Sequence, residues 1–447
     1  MSATGMLALS TSPGTLVAAA LLAALAIALL VAVMRRYEEA FPLLAILTLP
    51  FRLPISADGR TVNLLIPLYL VVAAGTIAHL LPRLLSREER AFGALEWVLL
   101  ASVVLYAMQA LYSTDRAKAG ENLAFFYVPF GLLFVLLRDV RWTRELLLRC
   151  LGIAVALAVV FAGIGFVEYA RKELFLNPKV VAANQFDNYF RVNSLFFDPN
   201  IYGRFLALVM IAVSGVVLWS RQKREVLVSA AVLAWLLAGL VTSFSQSSIA
   251  ALLLGLAVLA AYRWSVRWTI GAAVALVLLA LAVAIAAPKS LHFGLKGSGG
   301  STSNATSGRT KLIEGGLELF AKRPLQGYGS GSFQTEYERH SKTTAENATS
   351  ASHTIPVTVA AEQGIVGLAL YVALLALALL TLFRGAGRSP PRIALAACFA
   401  ALVLHTFTYA DFLEDPLTWT LLGIGVALAR AQRPVREDAP ALASATA

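Results

Sequence analysis

The feature that most constrains this chain is a series of apolar runs, most of them about 20 residues long, separated by polar connections. A helix that crosses a bilayer needs about 20 apolar residues, so most of these runs are long enough to cross. The second run is short and contains Pro50 and Pro54. We therefore predict an all-α polytopic membrane protein with about 12, at most 13, transmembrane helices. The runs lie at 15–34, 39–54, 61–80, 92–113, 121–138, 146–168, 199–220, 225–243, 245–263, 268–287, 354–383, 392–413 and 416–430.

The composition excludes an ordinary soluble protein. Only 14% of the 447 residues are charged and 58% are hydrophobic, whereas about 25% of residues are charged in soluble domains. Cys150 and Cys398 both fall within apolar runs, which predicts small buried side chains and no disulfide framework. The first run ends in Arg35-Arg36 and has no basic segment before it, so we interpret it as a span and not as a signal peptide.

The formal net charge of +11 is explained by where the basic residues lie. About twenty of the 37 Lys and Arg residues fall on alternate connections, which is the positive-inside pattern of cytoplasmic loops and requires no nucleic-acid partner. The opposite connections are therefore predicted to face outward. The C-terminus is predicted to be inside, and the N-terminus is inside with 12 spans and outside with 13.

These predictions divide the chain into four parts. Residues 1–287 form a transmembrane helix bundle with an outward loop at about 169–198, and residues 288–352 form one large outward loop containing short helices. Residues 353–430 form the C-terminal transmembrane helices, and 431–447 form a cytoplasmic tail. A polar loop of that length within so apolar a chain is typical of a functional site.

Both outward loops are basic, and long loops are not bound by the topology rule. One interpretation is a solvated face beside the anionic headgroups of membrane lipids. The other is a cavity for a phosphate-bearing lipid, because arginine pairs bidentately with phosphate oxygens. The basic residues are Arg171, Lys172, Lys179 and Arg191 in the first loop, and Lys289, Lys296, Arg309, Lys311, Lys322, Arg323, Arg339 and Lys342 in the second.

The first loop ends at Asp198-Pro199-Asn200, a natural helix start with Asp at the N-cap and Pro at the first helical position. Arg191 and Arg204 flank this start. Arg204 falls about one turn into an apolar helix, where a charge is costly unless it is paired or lines a polar cavity. Its alternative role is to extend towards the membrane interface.

The second loop contains a Gly/Ser/Thr-rich segment at 297–308, for which we predict a flexible strap. An amphipathic helix on the membrane surface is predicted over 309–321. The turn Gly327–Gly331 follows, and its bare backbone is able to approach a ligand closely. His353 then precedes a long helix interrupted by glycines at 364 and 367.

These residues resemble a known family. The first loop matches one outward motif of the O-antigen ligase and O-antigen polymerase superfamily, and the second matches the hallmark outer loop. The resemblance covers roughly residues 185–370 and the pattern of spans. Two positions depart from the family pattern: Thr354 stands where Asn is frequent, and Ser245-Gln246 where Ser-Arg is frequent. The matching residues are Arg191, Asp198-Pro199-Asn200 and Gly203 in the first motif, and Arg309, Pro324, Gly327, Gly329, Phe333, His353 and Gly364 in the second.

The resemblance implies a metal-independent glycosyltransferase of the bacterial inner membrane, without a cofactor, that takes a glycan from undecaprenyl diphosphate on the periplasmic side. That chemistry needs a base for the acceptor hydroxyl and cations for the leaving group. His353 is the expected general base, with hydrogen bonding to Glu362 or to backbone as its structural alternative, and His340 and His405 are weaker candidates. Arg191 and Arg309 are expected to bind the diphosphate, with possible support from Arg204, Asp198, Asn200, Gly327, Gly329, Arg323 and His340.

Several functions fit this chemistry. An O-antigen ligase moves finished polysaccharide to a sugar of the lipid A core, and we prefer it because the large loop comes late and only a short tail follows the last span. An O-antigen polymerase or a protein O-oligosaccharyltransferase would use the same donor with another acceptor. A lipid-glycan transporter is the alternative from another class, but we find no inverted repeat and few charges in mid-span.

Overall fold

The computed structural model describes residues 13–57, 60–87, 92–175, 190–269, 271, 302–341, 352, 354–407, 409 and 411–432. Apart from one short hairpin, its regular elements are helical. The elements are α1 (Pro13–Arg36), α2 (Ala40–Thr48), β1 (Leu53–Ala57), β2 (Arg60–Leu64), α3 (Ile66–Leu85), α4 (Ala94–Ala110), α5 (Arg116–Arg138), α6 (Arg144–Arg171), α7 (Pro199–Trp219), α8 (Lys223–Thr242), α9 (Gln246–Arg263), α10 (Thr302–Lys322), α11 (Phe333–Ser341), α12 (Ile355–Phe383), α13 (Pro390–Thr406) and α14 (Pro416–Ala431).

Eight of the described helices are long and apolar enough to cross a membrane: α1, α3, α5, α6, α7, α8, α9 and α12. Three shorter apolar helices, α4, α13 and α14, have 16 or 17 residues each. The chain is therefore a multi-pass, all-helical membrane protein, which confirms the predicted class. The number of spans stays a prediction, because most of the run at 268–287 lies outside the described residues.

The weak second run does not form a span-length helix. It begins as α2, whose 9 residues extend only about 14 Å, and Pro50 follows soon after the helix ends. The chain then forms an antiparallel hairpin in which Leu53 pairs with Leu64 and Ala57 with Arg60. The sequence signal here was the shortness of the run.

The connections predicted to be cytoplasmic meet at one end of the bundle. Burial of the apolar helix faces brings these polar ends together, and opposite charges then pair across different connections. Three ion pairs show this: Arg149 with Glu39 at 2.6 Å, Arg83 with Asp139 at 3.0 Å, and Arg430 with Glu96. We call this the basic end.

Helix α7 lies at the centre of the bundle. In its most apolar stretch 72% of the residues are buried, against 6% for α1, which fits a helix that is apolar on all sides. It packs against α6, α8, α9 and α13. Its C-terminus leads into the basic connection at 220–224, so its N-terminus, with Asp198 and Arg204, lies at the opposite end.

Helices α10 and α11 pack on the bundle beside the start of α12. Leu312 and Leu319 of α10 form a buried apolar cluster with Phe333 and Tyr337 of α11 and Ala361 of α12. Leu312 and Leu319 of the apolar face predicted to lie on the membrane surface are thus covered by protein, whereas Leu317 is 50% exposed. The flexible-strap prediction is wrong for 302–308, because α10 already begins at Thr302, and 297–301 lies outside the described residues.

Candidate active site

Arg191 lies in a non-helical segment held at the end of the bundle opposite the basic end. The neighbouring Val192 N–H donates to the Thr242 carbonyl at 3.2 Å. The Glu168 carboxylate, fully buried, accepts backbone N–H groups from Asn193 at 3.3 Å and Ser194 at 2.8 Å. These contacts fix the segment beside the end of α8, and so determine where the Arg191 side chain can reach.

The start of α7 confirms the predicted helix cap. Asp198 Oδ1 accepts from the Asn200 N–H at 2.6 Å, and Pro199 is the first helical residue. The Asn200 side chain makes separate contacts. Its Oδ1 accepts hydrogen bonds from Arg191 Nη2 at 3.2 Å and from Ser245 Oγ at 2.9 Å. Arg191 Nε also donates to the carbonyl of residue 243 at 3.1 Å.

His405 completes this network from the far side. Its Nε2 lies 3.2 Å from Ser248 Oγ, which itself lies 2.8 Å from Ser245 Oγ. His405 is fully buried. The close approach of α7 to α9 here requires Gly203, because a Cβ at that position would lie 2.8 Å from Ser248 Oγ. We call Arg191, Asn200, Ser245, Ser248 and His405 the polar cluster.

Arg204 is 1% exposed, so protein encloses its side chain. Its Nη2 lies 2.7 Å from Asp415 Oδ2, at an angle unsuited to a hydrogen bond, and none of its guanidinium nitrogens has a hydrogen-bond partner among the described residues. The Tyr409 ring lies 6.0 Å away. Burial, followed by the nearby carboxylates of Asp198 and Asp411, raises the pKa of Tyr409, so its hydroxyl stays protonated. Arg204 therefore faces a buried carboxylate, as a charge within an apolar helix requires, and its contact with a ligand stays a prediction.

The glycine turn, Gly327–Gly331, approaches the protein's own backbone. Gly329 N–H donates to the Glu362 carbonyl at 2.8 Å, and a Cβ at Gly329 would lie 2.4 Å from Ser113 Cα. The Ile365 N–H donates to the Pro324 carbonyl at 2.7 Å, across an interruption of α12 at Gly364. The turn is thus wedged between α12 and the end of α4, so any contact of Gly327 or Gly329 with a ligand remains a prediction.

The Glu362 side chain fixes the end of the glycine turn through two hydrogen bonds. Its side chain, 7% exposed, accepts the Gly331 N–H at 2.9 Å and the Phe333 N–H at 3.0 Å. A carboxylate at the start of α11 also interacts favourably with the helix dipole. Both of its oxygens therefore serve a structural purpose that the sequence did not indicate.

His340 and Arg323 lie together on the surface of the outer loop. The His340 ring meets the Tyr328 ring edge-on at 5.8 Å, and its Nδ1 lies 2.9 Å from the Glu336 carbonyl oxygen. Arg323 Cζ lies 4.5 Å from the Tyr328 ring centroid. Burial raises the pKa of Tyr328, with the Glu336 carboxylate as a smaller cause. His340 thus contacts the loop's own residues and none of the polar cluster among the contacts described.

Two of the principal predicted residues are not placed. His353 lies outside the described residues, and of Arg309 only the backbone in α10 is described. The neighbour Thr354, however, donates its hydroxyl to the Phe407 carbonyl at 3.4 Å. Ser352 is buried, and its hydroxyl donates to the Thr354 carbonyl at 2.8 Å. The start of α12 is therefore joined to the end of α13, two residues beyond His405.

Residues 231–372 match the protein family described as O-antigen ligase. The match covers 142 of the 447 residues and supports the O-antigen ligase superfamily for this segment. The matched segment includes Ser245, the glycine turn and His353, and leaves out Arg191 and Arg204. No curated protein matches the chain.

Sequence reasoning missed Asp415, Ser248 and Glu168. For Asp415 a local signal existed, because Asp415-Pro416 repeats the Asp198-Pro199 helix start, and its Oδ1 does accept the Leu417 N–H at 2.9 Å. The other two become visible only when helices are packed. Within the described ranges, no group of three or more His, Cys, Asp or Glu side chains is arranged to hold a metal ion.

Proposed function

We propose that this protein is an O-antigen ligase, an inverting, metal-independent glycosyltransferase of the bacterial inner membrane. It moves polysaccharide from undecaprenyl diphosphate to a sugar of the lipid A core, and its active site faces the periplasm. The observation that carries the proposal is the polar cluster with Arg204 at the end of the bundle opposite the basic end, in a chain whose residues 231–372 match the O-antigen ligase family.

The proposed reaction is a direct displacement. His353 removes the proton from the acceptor hydroxyl, whose oxygen forms a bond to the anomeric carbon as the bond from that carbon to the diphosphate oxygen breaks. The diphosphate leaves with its negative charge, which Arg191 and Arg309 stabilise and Arg204 supports. Direct displacement inverts the anomeric carbon, so the product linkage should have the opposite configuration from the donor.

The decisive assay supplies purified protein with lipid-diphosphate glycan and lipid A core, without added metal. Conjugate on lipid A supports the ligase. Polymer formed without any lipid A acceptor would support the polymerase instead, and glycan transferred to a protein acceptor would support an oligosaccharyltransferase. Binding of the donor without any transfer would favour a transporter.

The roles of the residues are tested by matched substitutions in the outer loop. His353→Ala should lower transfer by about 10²–10⁴-fold, the usual contribution of a general base, while His340→Ala should retain most of it. Arg191→Gln should weaken use of the donor. Activity kept by His353→Ala and lost by His340→Ala would move the base to His340.

Orientation is tested by labelling single cysteines in intact cells. Cys150 and Cys398 are buried, so they provide a low background. Arg339→Cys in α11 should react with a membrane-impermeant maleimide, whereas Arg388→Cys at the basic end should react only after the cells are opened. The reverse pattern would place the site in the cytoplasm and overturn the proposal.

A further inference from the structure

A narrow cleft that is open on one side lies beside the polar cluster; it encloses about 20 Å³, and about 300 Å³ with the open space at its mouth included. Its wall is formed by the end of α2, the start of α7 and the start of α14. Ile201, one of its wall residues, follows Asn200 of the polar cluster directly in the chain. Its lining includes two charged residues, Arg52 and Asp415, and the apolar residues Phe196, Ile201, Phe205 and Leu417.

The helix lengths place this cleft below the outer surface of the membrane. Helix α14 has 16 residues and rises about 24 Å from the basic end to Asp415, whereas the hydrocarbon core is about 30 Å thick. Helix α2 starts beside Glu39, which pairs with Arg149 at the basic end, and is shorter still. Arg52 therefore meets Asp415 at the depth of the outer leaflet.

The charges in the cleft do not balance. The Asp415 carboxylate already faces Arg204 at 2.7 Å. Arg52 is half-buried, and no hydrogen bond or ion pair joins its guanidinium to any other residue that the structure describes. A cation at this depth is costly unless an anion or water accompanies it, so the cleft favours an anionic group attached to an apolar chain.

We propose that this cleft admits the carrier lipid, with Arg52 as a further binding residue for its diphosphate and the phenylalanine and leucine wall contacting its first isoprene units. This inference rests on the proposed function, which supplies a polyisoprenoid diphosphate as donor. Arg52 binds the diphosphate as the lipid enters from the outer leaflet, before the diphosphate reaches Arg191. It therefore acts on KM far more than on kcat.

The inference is tested by measuring the binding of farnesyl diphosphate, inorganic diphosphate and phosphatidylglycerol to the purified protein in detergent. Arg52→Gln should weaken farnesyl diphosphate binding about tenfold, the effect of losing a charge-assisted contact. Arg52→Lys should recover part of that loss, and Arg221→Gln, an exposed arginine on the connection after α7, should change nothing.

A second pair of variants tests the wall. Leu417→Trp narrows the cleft and should weaken binding of farnesyl diphosphate but not of inorganic diphosphate. Leu47→Trp, on the exposed face of α2, is its control. Preference for phosphatidylglycerol over farnesyl diphosphate would identify the cleft as an ordinary lipid site and overturn the inference.

The outcomes separate this inference from the proposed function. If wild-type protein transfers glycan and Arg52→Gln binds and turns over donor normally, the inference fails and the proposed function stands. If wild-type protein binds farnesyl diphosphate through Arg52 but transfers no glycan, the inference stands and the proposed function fails. If it neither binds the diphosphate nor transfers glycan, both fail.

Discussion

The buried pair of Arg204 and Asp415 gives the sharpest prediction of the structure. Arg204 is 1% exposed and Asp415 is 2% exposed, and their charged atoms approach to 2.7 Å. Removing one member of such a pair leaves an uncompensated buried charge, which costs about 3–5 kcal/mol. Asp415 also caps α14 by accepting the Leu417 N–H. A substitution that tests the ion pair must therefore remove the negative charge and keep the capping oxygen.

Asp415→Asn achieves this separation, because asparagine caps a helix about as well as aspartate does. We expect it to destabilise the protein by about 3–5 kcal/mol, a fall in Tm of roughly 5–10 °C for a chain of this size. Arg204→Met should cost less, because Asp415 keeps its backbone partner at a helix N-terminus. The double variant should be more stable than Asp415→Asn alone, since no stranded charge remains.

Thermal unfolding of the four purified proteins in one detergent measures these differences as a double-mutant cycle. The predicted coupling between the two positions is several kcal/mol. Single-variant losses that simply add in the double variant, to within about 0.5 kcal/mol, would refute the reasoning. They would mean that water in the neighbouring cleft already screens both charges.

Three further predictions concern the turn and the outer connections. Glu362→Gln can keep only one of the two N–H bonds at the start of α11, so it should destabilise by about 1–3 kcal/mol and expose α11 to limited proteolysis. Gly329→Ala should prevent correct packing of the turn, since its φ is +95° and its Cβ would lie 2.4 Å from backbone. Gly152→Ala, with open space around its Cβ, should be neutral or slightly stabilising in the same thermal assay. Burial, and then the Asp411 carboxylate, raises the pKa of Glu414 from an ordinary 4.5 to about 8. Its contribution to stability is therefore full below about pH 4.5 and is lost as pH rises to about 8, by at most about 1.4 kcal/mol per pH unit. Glu414→Gln should flatten this part of the profile of Tm against pH, and an unchanged slope would contradict the assignment.

The class of fold followed from the sequence because each span signals itself locally, through about 20 apolar residues. The same signal was ambiguous for the run at 39–54, where α2 ends after Thr48 and a hairpin follows. A flexible strap was predicted at 297–308 from its small polar residues, yet part of it is helical in α10. Packing against α11 and α12 stabilises that helix, and the composition of the segment alone does not predict this packing.

The candidate site was also only partly predictable from the sequence. The Asp198 cap was predictable because an N-cap involves residues two positions apart. The contact of Ser248 with His405 joins residues 157 positions apart, and nothing in either segment indicates the other. Sequence reasoning ranked His405 low among the histidines, although the structure places it in the polar cluster.

The lengths of the helices in the sequence indicate how far below the membrane surface the candidate site lies. Helices α9, α13 and α14 have 18, 17 and 16 residues, so at 1.5 Å per residue they extend only about 24–27 Å. If they start near the basic surface, their far ends stop inside a hydrocarbon core of about 30 Å. Polar groups at that depth are stable only when they are enclosed by protein or face a water-filled cavity. Short spans that end in Asp, Ser and His therefore predict a recessed polar site, which a count of apolar runs alone does not.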